Sequence, residues 1–130
     1  PGCALAGALE QPGSVALGED AGLLAGAGRL TIPITSDAED AFDKADGVID
    51  FSTPAATLRF SELAARKGIA HIVGTTGLSE DDLARLRAAS SRCAVVQSGN
   101  MSLGVNLLAA LVRKAAAALG EDFDIEVVEM

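Results

Sequence analysis

Residues 69–77 read Ile-Ala-His-Ile-Val-Gly-Thr-Thr-Gly. An apolar run of strand length gives way to a small, polar turn flanked by glycines, which is how a buried parallel strand ends at the ligand-binding edge of an open α/β sheet. Two other segments end alike: Gly47-Val48-Ile49-Asp50-Phe51-Ser52-Thr53-Pro54 and Ala94-Val95-Val96-Gln97-Ser98-Gly99-Asn100-Met101. Aligned parallel strands put their carboxyl ends on one edge, so the three terminal loops are expected to line one crevice.

The residues between these segments read as helices. Thr53-Pro54 supplies an N-cap and an N1 proline to a helix that Gly68 ends, with Leu58, Leu63 and Ala64 at helical spacing towards the sheet. Ser79-x-x-Asp82 caps another, in which Leu83, Leu86 and Arg87 divide an apolar face from a charged one. Strand, helix, strand, helix and strand joined by short connections imply right-handed crossovers and a parallel sheet. The fold class expected is α/β, a Rossmann-like parallel sheet with helices on both faces.

Upstream, residues 3–9 form a short apolar run that ends in Glu10 and is followed by the turn former Pro12-Gly13-Ser14. Residues 15–31 are rich in glycine but hold no G-x-G-x-x-G after a strand, so an irregular excursion is expected, anchored by Leu17, Leu23, Leu24 and Leu30. Ser36-x-x-Glu39 opens a short helix to about Lys44 as a capping box. Downstream, residues 102–120 read as one long helix with Leu103, Leu107, Leu108, Leu111, Val112 and Leu119 apolar, ended by Gly120. Residues 121–130 alternate, with Phe123, Ile125 and Val127 on one face, as a half-exposed strand does. Residues 1–101 are thus expected to form one domain, and 102–130 the first helix and strand of a second.

Composition narrows the partners. The chain has 130 residues, 49% of them hydrophobic and 3% aromatic, so its core is built from Ala, Leu, Val and Ile. A net charge of −8 argues against nucleic acid and anionic membrane. Cys3 and Cys93 lack metal-type spacing and read as buried thiols, and no metal site is expected. No uninterrupted apolar span and no leader-like segment stand out, so the cytoplasm is the expected compartment. A start at Pro1 and a stop at Met130, just after a strand-like run, read as cut ends.

Three side chains invite a role and each has a plainer reading. Glu10 stands where dinucleotide folds hold a ribose hydroxyl pair, or is a solvated turn residue. His71, the single histidine, lies inside an apolar strand and reads as a core or interface residue. Asp50 at a strand end is a candidate general base, although no second titratable group converges on it in sequence. Asp81-Asp82 occupies a helix's first turn, where the dipole favours negative charge without any function.

With these residues in hand the chain resembles the dihydrodipicolinate reductase family, NAD(P)H-dependent enzymes of the diaminopimelate route to lysine. The resemblance rests on Ala8-Leu9-Glu10, Val48-Ile49-Asp50-Phe51-Ser52-x-Pro54, Val73-Gly74-Thr75-Thr76-Gly77, Asn100-Met101-Ser102-x-Gly104-Val105-Asn106 and Asp124-Ile125-Glu126-Val127-Val128-Glu129, in that order along the chain. It implies that Glu10 holds the adenosine ribose, that Phe51 and the Gly74-Thr75-Thr76 turn lie along the nicotinamide half, and that Ser98-Gly99-Asn100-Met101 completes the cofactor wall and leads into a hinge. Gln11 stands where the family often places Arg for the NADPH phosphate, which points to NADH, with NADPH possible. The resemblance further implies a small dicarboxylate substrate and a homo-oligomer, a tetramer in the family. The Gly-rich phosphate loop is expected before Pro1, and the catalytic His-His-x-x-x-Lys motif after Met130, so the chain alone carries no catalytic residue and is expected to be inactive. Two other readings stand beside this one, another small Rossmann dehydrogenase such as an amino-acid dehydrogenase and a non-catalytic assembly module.

Overall fold

The computed structural model describes residues 2–128. The chain divides into two compact units, Pro1–Gln97 and Ser98–Met130.

The first unit is an α/β assembly of parallel strands. Its centre is the sheet β3 (Gly47–Asp50), β4 (Ala70–Val73) and β5 (Val95–Gln97), adjacent in that order and all parallel. The register sets Val48 beside His71 and Val95, and Ile49 beside Ile72 and Val96. Two helices make the crossovers, α3 (Pro54–Lys67) and α4 (Glu80–Ala89), and they pack on each other and on these strands. The caps expected from sequence set their ends. Thr53 accepts from the Ala56 N–H, Gly68 closes α3 at φ 71°, and Ser79 and Asp82 form a reciprocal capping box.

Side chains alternate across each strand. His71 and Val73 are fully buried beneath α3, together with Asp50. The row in register on the other face, Ile49, Ile72 and Val96, is left open, with Ile49 72% and Val96 56% exposed.

A second parallel pair, β1 (Ala8–Leu9) and β2 (Ile34–Thr35), precedes this sheet. Among the described residues no ladder joins β1 or β2 to β3. The two parts meet instead through α2 (Ala38–Asp43), whose Ala41 and Phe42 form the buried core with Leu63 and Ala64 of α3. Leu9, Val48, Phe60, Ile69 and Cys93 pack around it.

Several local expectations need correction. The first strand is two residues long, because residues 3–6 lie exposed with no ladder partner. The cap of α2 is Asp37 in place of Ser36, since the Asp37 carboxylate reaches both the Glu39 and Asp40 N–H groups, at 3.0 and 3.2 Å. The glycine-rich excursion carries a short helix, α1 (Ala21–Leu24), and Asp20 ties it together by accepting from the Leu23, Leu30 and Thr31 N–H groups. Leu23 and Leu24 are exposed, whereas Leu30, though partly exposed, lies over the buried Gly22. Cys3 is exposed as well; Cys93 is half-buried, and burial pushes its thiol up.

The second unit consists of α5 (Leu103–Leu119), capped by Ser102, and a 3-10 turn over Gly120–Asp122. Residues 123–128 form no ladder, as alternation alone makes no strand without a partner; Glu129 and Met130 of that expected strand lie outside the described residues. The helical segment Leu103–Asp122 contains an 18-residue window of mean hydropathy 1.4 and is long and apolar enough to cross a membrane by length and composition. Arg113 and Lys114 place two adjacent positive charges within it.

Candidate functional site

The carboxyl ends of β3 and β4 are bound to each other. The Gly74 N–H donates to the Asp50 carbonyl at 2.8 Å, which extends the ladder one step past the end of β4. Phe51 then leaves the sheet and lays its ring against Gly74. A Cβ on Gly74 would come within 2.6 Å of the Phe51 Cδ1 and closer still to Cε1 and Cζ. Most of the side chain remains open to solvent, Phe51 being 69% exposed. The bare Gly74 backbone is thus what allows an aromatic platform at this edge.

Below the platform lies a polar knot. The Asp50 carboxylate is buried, its side chain 1% exposed. One oxygen, Oδ1, accepts from the Ser52 N–H at 2.9 Å, from the Ser52 hydroxyl at 2.6 Å and from the Thr75 hydroxyl at 3.4 Å. The other, Oδ2, lies 3.2 Å from His71 Nε2. A carboxylate only accepts, so Nε2 carries a hydrogen towards it, and Nδ1 is buried without a partner among the described residues. The Thr57 hydroxyl of α3 donates to Thr75 Oγ1 at 2.8 Å and closes the knot from the helix side.

Burial pushes the Asp50 carboxyl up, but the bonds from His71 and Ser52 and the Thr57 hydroxyl outweigh it and bring its pKa down to about 2. So low a pKa, with every oxygen occupied, leaves Asp50 poorly suited as a general base. It makes Asp50 a source of pH-dependent stability instead. Because the folded value lies below the unfolded one, the stabilisation is complete above about pH 5 and is lost as pH falls towards 2. It amounts to about 2 kcal/mol. Urea unfolding at pH 7 and pH 2.5 is expected to show this loss in the wild type and a smaller one in Asp50→Asn; equal losses would contradict it.

Glu10 and Gln11 follow β1, where the Glu10 N–H donates to the Thr35 carbonyl at 3.0 Å and Glu10 Oε1 accepts from the Gln11 N–H at 2.7 Å. Both side chains are exposed. Thr76 is exposed beside the buried Thr75. Ser98, Gly99, Asn100 and Met101 belong to the second unit, where they form a closed turn. Ser98 Oγ donates to the Asn100 carbonyl at 2.8 Å, Asn100 Oδ1 accepts from the Ser102 N–H at 2.7 Å, and Asn106 of α5 donates to the Asn100 carbonyl at 2.9 Å. The structure thus brings Phe51 together with Gly74 and Thr75, and it gives Ser52, Thr57 and His71 places that the sequence reading did not. The Asp50-x-Ser52 spacing of an Asx turn was visible, whereas the register that brings His71 to Asp50 was not.

Among the described residues no group of three or more His, Cys, Asp or Glu side chains is arranged to hold a metal ion.

A protein-family model described as dihydrodipicolinate reductase, N-terminus, matches residues 1–101. Among curated proteins, a 4-hydroxy-tetrahydrodipicolinate reductase of Afipia carboxidovorans is 58% identical over 99% of this chain and 47% of its own length. Those of Rhizobium meliloti and Methylocella silvestris are 55% and 54% identical over 100% of the chain, and 54% and 48% of their own lengths. The chain spans about half the length of the curated relatives it matches. A match through 101 of 130 residues, on an α/β unit of parallel strands that carries the expected loops, places the chain in the dihydrodipicolinate reductase family.

Proposed function

We propose that this chain forms the nucleotide-facing part of an NAD(P)H-dependent reductase that reduces a dihydrodipicolinate-type cyclic dicarboxylate in the diaminopimelate route to lysine. The observation that carries the reading is the Phe51 ring seated on Gly74 where β3 and β4 end. A planar nicotinamide suits such a place, lying against the exposed part of the Phe51 ring, with the exposed Thr76 of the adjoining Gly74-Thr75-Thr76 turn offering polar groups beside it. When bound, the reduced nicotinamide supplies the hydride. Phe51 and the turn would orient it, Glu10 would accept hydrogen bonds from the adenosine ribose, and Ser98, Gly99, Asn100 and Met101 would complete the wall. Proton transfer would fall to residues outside this chain, so that the chain by itself would be inactive. Residues 102–130 would begin the substrate and oligomerisation domain, in a cytoplasmic homo-oligomer.

Gln11 carries no charge to pair with a 2′-phosphate, and the neighbouring Glu10 repels one, so NADH is the proposed coenzyme. Calorimetric titration of the full-length protein is expected to give micromolar binding of NADH and weaker binding of NADPH. Gln11→Arg, by adding a charge-assisted hydrogen bond of about 1.5–3 kcal/mol, is expected to improve NADPH binding about tenfold or more. Tighter wild-type binding of NADPH overturns the preference, and millimolar or absent binding of both overturns the nucleotide reading.

A further inference from the structure

We infer that Asp50 is a positioning residue for the coenzyme turn: its carboxylate ties Ser52 and Thr75 together and so fixes the distance between the Phe51 ring and the Gly74-Thr75-Thr76 backbone. The inference rests on the nucleotide reading above. Phe51 sits between Asp50 and Ser52, and the backbone and hydroxyl of Ser52 both donate to the Asp50 carboxylate. The platform is therefore held at both of its chain neighbours. The same carboxylate oxygen takes the Thr75 hydroxyl, one residue beyond the glycine on which the ring rests. Three of its donors thus belong to the loops that end β3 and β4, and His71, from inside β4, sets the orientation of the carboxyl plane through the other oxygen.

A plain capping role would need the Ser52 contact alone, and that cap would lie within one loop. Here the bonds cross from one strand end to the next through a group that is 1% exposed, so the two loops cannot drift apart without unpairing a buried charge. Exposed Ser52 and Thr76 and the open ring of Phe51 then stand on a rigid base, as coenzyme positioning requires.

The test compares Asp50→Asn with a reference that weakens the fold away from the loops, Leu63→Ala, in the full-length reductase. KM for NADH and kcat are measured at a temperature where circular dichroism shows all proteins folded. Asp50→Asn is expected to raise KM for NADH at least tenfold with a smaller change in kcat, whereas Leu63→Ala, at a similar or larger loss of Tm, keeps KM within twofold. An Asp50→Asn KM within twofold of the wild type, or a matching rise in Leu63→Ala, overturns the inference. Should Asp50→Asn fail to fold, Ser52→Ala takes its place, with KM expected to rise about threefold and to recover in Ser52→Thr; an unchanged KM overturns the inference. A wild-type protein that takes up no NADH overturns the nucleotide reading itself.

Discussion

Replacing Gly74 with alanine is expected to raise the Kd for NADH at least tenfold while lowering Tm by only a few degrees. Gly74 has ordinary backbone angles, so the added methyl strains nothing in the main chain. What it meets is the Phe51 ring, across Cδ1, Cε1 and Cζ. Phe51 is mostly exposed, so the ring can swing outwards without opening a core cavity, and the Gly74–Asp50 backbone bond survives. The change therefore falls on the platform and little on stability. An aromatic contact is worth about 0.5–1.5 kcal/mol beyond its buried area, and each 1.4 kcal/mol is about tenfold in affinity. Phe51→Ala alone is expected to cost about as much, and the double variant no more than Phe51→Ala, because both substitutions remove the same platform. Calorimetry on the full-length protein measures all three. Wild-type affinity in Gly74→Ala, or additive losses in the double variant, would show that coenzyme does not rest on this ring.

What the sequence reveals here divides by the range of the interactions involved. The Thr53-Pro54 and Ser79-x-x-Asp82 caps and the Gly68 stop were legible because each depends on neighbours a few residues apart, and the parallel order of three strands because a helix between successive strands brings the chain back in the same direction. Asp37 displaced Ser36 as a cap because two adjacent residues can both accept from the first turn, and only the backbone path chooses between them. The excursion over residues 15–31 was only partly legible for a related reason: it is held by one carboxylate reaching ten and eleven residues ahead, to Leu30 and Thr31, while Leu23 and Leu24 are left outside. At the candidate site the residue types and turns were legible and their pairing was not. Asp50 and His71 lie twenty-one residues apart, and a slip of one residue in the β3–β4 register would send His71 to the opposite face of the sheet.

The Phe42→Ala variant is expected to separate the β1–β2 pair from the rest of the first unit. Phe42 is 3% exposed and meets Phe60 with ring centroids 5.7 Å apart. Its truncation costs about 3–5 kcal/mol, a large part of the roughly 5–15 kcal/mol that holds a domain together. The loss is uneven across the unit. Strands of two residues cannot stand alone, and β1 and β2 reach the main body through the α2 face that Phe42 fills. The ion pairs of Glu39 with Arg66 and Lys67 also cross from α2 to α3, but Glu39 and Arg66 are mostly exposed and such solvated pairs contribute little. Strands β3, β4 and β5 keep α3 and α4 packed on them. Hydrogen exchange is therefore expected to speed up at the Glu10 and Ile34 amides, which bond to Thr35 and Glu19, and to change less at His71 and Gly74. NADH affinity should fall with it, since Glu10 loses its fixed place, and Phe42→Leu should restore part of both. Equal loss of protection across both groups of amides would show instead that the two strand sets unfold as one.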